Sequence, residues 1–378
     1  MRAAFYAPLK PPGHPVPSGD RRIARLFQQL FGRINIETPL ASRFRSRDGA
    51  GDQMRQARMA SLGPWLAQRA VRELGPKGAD IWFTYHLYYK AADWLGPEAA
   101  AILDIPYIIA EASFAPKRAD GPWSISHQRV ADCVAKASAV LCLNPNDIPC
   151  LEPLIEDAGK LIPFPPFLDI EPYLKFKIER DAYRADLSNE LGIPANAKWL
   201  LAVGMMRDGE KTISYIKLAD ALGQLRPERD WRLVVVGDGP NRDVIQETLQ
   251  AATMGRVIFA GERNDSDLAK FYAASDCMVW PAHGEAFGMA MLEAQASGLP
   301  VVACNTGGVP AVVEDGLSGT LVRANDASAF ANAIDVLIQD DGRRASYSSA
   351  AHIRVRDKQS LEAASLRLET ILSRIGIL

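Results

Sequence analysis

Residues 277–303, CMVWPAHGEAFGMAMLEAQASGLPVVA, leave few folds open to this chain. Cys277-Met278-Val279-Trp280 is a short apolar run stopped by Pro281. A polar loop with one acid, Glu285, follows. Ala290, Met291, Leu292, Ala294 and Ala296 then continue as a helix from Gly288 to Ser297-Gly298, and Leu299–Ala303 is the next strand. Two short buried strands with a helix between them read as a parallel pair joined by a crossover. Open parallel sheets bind ligands outside the C-terminal ends of their strands. The Glu285 loop stands at such an end.

The same alternation runs through the whole chain. Residues 3–7, 80–84, 106–110, 139–143 and 160–163 read as strands in the first half, and 199–203, 231–236 and 256–260 in the second. Helical stretches separate most of them, which argues for doubly wound α/β sheets. One helix starts at Asp20, a residue suited to capping it. Residues 33–56, rich in Arg, Ser and Gly, read as loop. A length of 378 residues suits two domains. These are placed at residues 1–175 and 185–354, with the linker over 171–185. An amphipathic stretch falls within the closing residues 355–378.

Net charge of −2, 48% hydrophobic and 23% charged residues describe an ordinary globular protein. No run approaches the 18 apolar residues of a membrane span. Met1–Tyr6 reads as a first strand rather than a leader. The five cysteines lack metal-ligand spacing, and reduced thiols point to the cytoplasm. The first sixty residues hold eleven Lys/Arg against four Asp/Glu. Such a basic segment, spanning 21–58, fits peripheral contact with an anionic membrane on its inner face, or an anionic acceptor, and equally a solvated surface. No nucleic-acid partner is expected.

Several residues carry candidate chemistry. A carboxylate accepts a bidentate pair from a vicinal diol, which suits Glu285 and Glu293. The backbone N–H groups of Phe287, Gly288 and Met289 at the helix start favour an anion. Arg207 and Lys211 follow strand 199–203 and can neutralise a diphosphate. Gly237-Asp238-Gly239-Pro240-Asn241-Arg242 lacks the third glycine of a dinucleotide fingerprint and reads as a structural turn. Arg263 follows strand 256–260, where it can stack on a base. Gly19 lies near the start of the first helix, and His86 and Glu111 near two strand ends. His283 adjoins the Glu285 loop. No D-x-D and no His/Cys cluster appears, so no metal and no cofactor are expected.

E-A-F-G-M, a second Glu followed by A-x-A-x-G-x-P-V-V, and G-G-V-P-x-V-V-x-D-G-x-x-G over residues 307–319 resemble the E-x7-E signature of retaining glycosyltransferases, family 4 (glycosyl transferases group 1). The resemblance implies the GT-B fold, two Rossmann-like domains facing a central cleft, with the last helix completing the first domain. It implies a nucleotide-diphosphate sugar as donor and a glycan or lipid-linked acceptor, in cell-surface polysaccharide or glycolipid synthesis. Gly19, Arg263, Glu285, Ala286, Phe287, Gly288, Met289 and Glu293 would hold the donor. Glu285 would orient its sugar, and Glu293 would take the ribose hydroxyls. Arg207 and Lys211 would stabilise the leaving diphosphate, and His86 and Glu111 would face the acceptor. Two positions depart from the family: VGMMRDGEK replaces V-G-R-L-x-x-x-K-G, and Ala112 stands where many members have histidine. A sugar-nucleotide epimerase, a phosphorylase and a non-catalytic nucleotide-sugar binder are the alternatives.

Overall fold

The computed structural model describes residues 1–16 and 18–378, with the side chains of Phe176 and Lys177 left aside. Pro17, within the proline-rich loop read from the sequence, lies outside the described residues. The chain divides into two compact units. Met1–Pro165 with Leu361–Leu378 form unit 1, and Pro166–Ser360 form unit 2.

Unit 1 is built from β1 (Ala3–Tyr6), α1 (Gly19–Arg33), α2 (Gln53–Leu74), β2 (Ile81–Leu87), α3 (Gly96–Leu103), β3 (Tyr107–Ala112), α4 (Ser124–Lys136), β4 (Ala139–Cys142), the short α5 (Ile148–Leu151) and β5 (Leu161–Pro163). The strands are parallel and lie in the order β1-β2-β3-β4-β5. Phe5, Phe27, Phe31, Phe83 and Phe164 are fully buried.

The segment 33–56 is not the plain loop its composition suggests. Residues 37–41 run parallel to β1 on its outer edge, with Ala3 and Phe5 N–H groups donating to Glu37 and Pro39 carbonyls. From β1 the chain therefore goes to one side for residues 37–41, then returns to the other side for β2. That reversal makes a topological switch point between β1 and β2. Helix α2 also begins at Gln53, inside the stretch read as loop. Asp52 caps it by accepting from the Arg55 N–H.

Unit 2 comprises α6 (Glu171–Ile178), α7 (Arg180–Leu191), β6 (Lys198–Val203), α8 (Glu210–Leu222), β7 (Trp231–Val236), α9 (Arg242–Thr253), β8 (Val257–Gly261), α10 (Asp265–Ala274), β9 (Cys277–Trp280), α11 (Met289–Ala296), β10 (Val301–Cys304), the short α12 (Val309–Val312), β11 (Gly319–Val322), α13 (Ala327–Gln339) and α14 (Asp341–Arg354). Its parallel sheet runs β11-β10-β9-β6-β7-β8. The chain builds outward from β6 through β7 and β8, then restarts on the other side of β6 with β9. The switch point thus falls between β6 and β9, paired at Leu200–Cys277 and Leu201–Met278.

The boundary between the units differs from the expected linker. Residues 171–185 are largely helical and belong to unit 2. Arg180 donates to the carbonyls of Ala273 and Ser275, and Arg184 to those of Ala274 and Ala197. Both guanidinium groups also reach Asp276. At the other end, Gln359 donates to Pro166 O at 3.1 Å, and its own carbonyl accepts from Leu168 N–H. The π-helical turn Val355–Gln359 stays with unit 2, and only α15 (Leu361–Arg374) packs on α1 in unit 1. No helix among the described residues is long and apolar enough to cross a membrane.

Candidate active site

The β6–β9 switch point gathers the residues singled out in the second half. Trp280 ends β9, and a tightly coiled loop follows. Ala282, Gly284 and Gly288 all have left-handed backbones, with φ of 56°, 62° and 79°. Ala282 is the costly member, because a side chain disfavours that region. The coil presents Glu285 toward α8. There the Lys211 ammonium meets the Glu285 carboxylate at 2.5 Å, and also lies 5.4 Å from the Trp280 ring centroid. The edge of Trp280 packs against Tyr215, whose hydroxyl donates to the Gly204 carbonyl.

Two glycines let this loop sit where it does. A Cβ on Gly307 would lie 2.1 Å from the Glu285 carbonyl oxygen, and one on Gly308 1.9 Å from that of Ala286. The G-G pair after β10 thus exists for backbone-to-backbone contact. The N–H groups of Phe287, Gly288 and Met289, at the start of α11, donate to no described group. They remain available to an anion.

Arg207 stands on the loop after β6. The loop is braced: Met206 N–H donates to Asp238 O, Asn241 N–H to Met206 O, and Thr212 Oγ1 to Arg207 O. Gly237 and Gly239 make this possible, since a Cβ on either would strike Gly204 O or Met206 O. The broken dinucleotide motif is therefore a seat for the Arg207 loop. Arg207 itself is exposed and pairs with nothing among the described residues.

Glu293 is 2% exposed, and its Oε2 accepts from the Tyr272 hydroxyl at 2.9 Å. Sequence spacing put it on the helix but gave no sign of the tyrosine. Arg263 donates to Ala260 O and pairs with Glu190 at 2.7 Å, with its guanidinium over Phe271. His283 lies between Lys217, 2.8 Å from Nδ1, and Glu210, 3.1 Å from Nε2. The lysine donates, so Nδ1 accepts and Nε2–H faces the carboxylate. The His283 N–H also donates to Ser214 Oγ at 3.0 Å, and Glu210, Ser214 and Lys217 recur at helical spacing, the one sequence signal that could have flagged this clamp.

Unit 1 holds a separate polar cluster. Asp20 does not cap α1: Ser18 does, accepting from the Arg21 N–H. Freed from that role, Asp20 approaches His86 Nδ1 at 3.0 Å, and Glu111 lies 3.8 Å from the same nitrogen. Burial would lower the imidazolium, but Glu111 and the bond to Asp20 outweigh it and raise His86 to about 9. Burial raises Glu111 to about 7 against the pull of His86. Asp147, after β4, is raised by burial to about 6 despite a hydrogen bond from Ser113. Gly19 touches none of this, and a Cβ there would meet nothing within 4 Å. The structure thus joins His86 and Glu111 to Asp20 and leaves Gly19 aside.

The basic surplus of the first sixty residues is partly structural. Arg21, Arg25 and Arg45 donate to carbonyls of His14, Pro15, Pro12 and Leu9, stapling the loop after β1.

Two Rossmann-like units of this kind define the GT-B fold. Anabaena HepE, solved in complex with UDP, superposes with a TM-score of 0.74 over 99% of this chain and 100% of that one, at 18% identity. Residues 197–340 match the family described as glycosyl transferases group 1. A D-inositol 3-phosphate glycosyltransferase from Corynebacterium aurimucosum is 35% identical over 187 residues, covering 48% of this chain and 44% of the relative. The chain thus spans less than half the length of that relative. A protein of the same name from Xylanimonas cellulosilytica is 29% identical over 309 residues, covering 77% of this chain and 71% of the relative.

Proposed function

We propose that this protein transfers a sugar from a nucleotide-diphosphate sugar to an acceptor hydroxyl with retention of anomeric configuration. The Lys211–Glu285 pair at the unit 2 switch point carries the reading: a cation for phosphate oxygens and a carboxylate for sugar hydroxyls share one strand end. In the reaction, the bond from the anomeric carbon to the diphosphate oxygen breaks, and its electron pair leaves with the diphosphate. Arg207, Lys211 and the N–H groups at the start of α11 stabilise that charge. These cations take the part a divalent metal would otherwise play. Glu285 orients the sugar, and Glu293 receives the ribose hydroxyls, exchanging its bond from Tyr272. The acceptor oxygen attacks the same face, and its proton passes to the departing phosphate oxygen. No covalent enzyme intermediate is needed.

HepE supplies UDP as the first nucleotide to try, and the curated relatives supply inositol 3-phosphate as the first acceptor. The test is calorimetric binding of UDP, GDP and ADP to wild type and Glu293→Ala, followed by turnover with the matching sugar conjugate. One nucleotide bound, weakened by the substitution, supports the reading. No nucleotide bound ends it. Binding without transfer to any acceptor turns it into a nucleotide-sugar binder.

Peripheral attachment to an anionic membrane has its own observation. Along α2, Met54 (82% exposed), Leu62 (42%) and Trp65 (51%) share the outer surface with Arg55, Arg58, Arg69 and Arg72. Apolar residues among arginines make an interfacial face. This face replaces the broader segment 21–58, several of whose arginines are engaged in the loop. Co-sedimentation with phosphatidylglycerol vesicles but not phosphatidylcholine vesicles, lost in Trp65→Ser/Arg58→Ser, checks it. Such attachment would place the acceptor among surface glycolipids or polysaccharide precursors.

A further inference from the structure

We infer that His283 is a positioning residue, which Glu210, Ser214 and Lys217 of α8 hold so that the Glu285 loop stays in place once a donor has drawn Lys211 away from Glu285. Its consequence for catalysis rests on the glycosyl-transfer reading. The hold itself does not.

Two tethers join α8 to this loop. The first is the Lys211–Glu285 ion pair. Both of its members are claimed by the reaction, the lysine by the diphosphate and the carboxylate by the sugar. That tether is therefore surrendered at the moment when Glu285 has to be fixed. The loop is also strained, because Ala282 carries a side chain on a left-handed backbone, φ 56°. Such a residue costs about 1–3 kcal/mol and persists only where its surroundings impose it.

The second tether uses no group that the reaction needs. Glu210, Ser214 and Lys217 stand at i, i+4 and i+7 on α8 and so share one face of it. Lys217 Nζ donates to His283 Nδ1 at 2.8 Å, and Nε2–H faces the Glu210 carboxylate at 3.1 Å. The main-chain N–H of the same residue donates to Ser214 Oγ at 3.0 Å. Ser214 is fully buried, and its hydroxyl in turn donates to the Glu210 carbonyl at 2.9 Å. His283 is thus held at both its side chain and its backbone, next to the strained Ala282 and two residues before Glu285. The missing side chain at Gly284 lets α8 come this close, since a Cβ there would strike the Glu210 carboxylate.

Both ring nitrogens are engaged with α8, so the imidazole has no free acid or base to offer a substrate. Its role is geometric. The His283 and Glu210 side chains are 39% and 59% exposed, and exposed pairs of this kind add only about 0–1 kcal/mol to global stability. Loss of the hold is therefore felt in the placement of Glu285 rather than in unfolding. A displacement of about 1 Å at a reacting group can cost about 10²-fold in rate.

The test compares His283→Ala, His283→Gln and Lys217→Met in the full chain. Three quantities are measured: steady-state kinetics with the sugar conjugate that the wild type uses, UDP affinity by calorimetry, and hydrogen exchange of the amides of residues 283 and 285. These two amides donate to Ser214 Oγ and to the Ala282 carbonyl. His283→Ala should lower kcat about 10–100-fold, with donor KM and UDP affinity within about threefold. Exchange of both amides should quicken about tenfold. His283→Gln should recover most of both losses, because its amide offers one acceptor and one donor. Lys217→Met should act in the same direction and add nothing to His283→Ala, whose partner it removes. Exchange unchanged in His283→Ala overturns the inference. So does a kcat loss equal in the Gln and Ala variants, which would assign the imidazole to the chemistry, or a fall in UDP affinity in step with kcat. A wild type that turns over no sugar conjugate counts instead against the transfer reading, and amide exchange then decides the hold by itself.

Discussion

Lys211 and Glu285, 74 residues apart in sequence, form an ion pair at 2.5 Å across the β6–β9 switch point. Both side chains are largely buried, so each holds the other's charge in the absence of a ligand. A donor must divide the pair, diphosphate to the lysine and sugar hydroxyls to the carboxylate. Lys211→Met should lower kcat by about 10²–10³-fold, the usual cost of one preorganised donor to developing charge. Glu285→Gln should act more on sugar than on nucleotide, leaving UDP affinity within about threefold while turnover falls. Steady-state kinetics beside UDP calorimetry checks both. A Lys211→Met enzyme with unchanged kcat would remove the lysine from the reaction.

Glycine at 308 is required by contact. Gly308→Ala would drive a Cβ to 1.9 Å from the Ala286 carbonyl, displacing the Glu285 loop. Overpacking of this kind costs about 1–3 kcal/mol. Urea unfolding should show that loss, with nucleotide affinity falling too because the N–H groups of 287–289 move. Gly192→Ala is the control. Gly192 has a left-handed backbone, φ 65°, where Gly308 has φ −88°, and its Cβ would meet nothing within 4 Å. It should lose stability from backbone strain alone and leave nucleotide affinity unchanged.

Glu293 and Tyr272 separate binding from stability. Tyr272→Phe removes one buried hydrogen bond and should cost about 1 kcal/mol in unfolding free energy. UDP affinity should hold, because the carboxylate still faces the nucleotide. Glu293→Ala should cost stability as well and weaken UDP at least tenfold. Equal losses of affinity in both variants would make Glu293 a structural acid.

Unit 1 should lose stability with rising pH. His86 is raised in the folded state from 6.5 to about 9. Its contribution is therefore complete below 6.5 and lost as pH rises through 9. Glu111, raised from 4.5 to about 7, acts in the same direction at lower pH. Melting temperature followed from pH 5 to 10 should fall, and His86→Gln should flatten the portion between 6.5 and 9. A wild-type profile that rises across that portion would contradict the His86 environment described above.

The βαβ unit at 277–303 was legible because its information is local. A four-residue apolar run, a proline stop and a helix of small residues need no distant partner to be recognised. Motifs went equally far: Gly307-Gly308 and Glu285 could be picked out, though not the contact that joins them. Local reading misled where one element's composition resembled another's purpose. Residues 171–185, coming after the last strand of the first half and its prolines, read as linker, yet Arg180 and Arg184 bind them to the carbonyls before β9. Asp20 read as a helix cap by residue type, while Ser18 performed the capping and Asp20 turned to His86.

Sequence by itself determined most of the strands, many of the helices and the chemistry each strand end could offer, because periodicity and turn residues act over a few positions. Tertiary structure decided who meets whom. Strand order set β9 beside β6 and so delivered Glu285 to Lys211. The return of residues 37–41 to the outer edge of β1 put Asp20 and His86 on either side of a switch point. Sheet order is fixed by the burial of whole layers rather than by any short segment, so pairings 66 or 74 residues apart have no local signature.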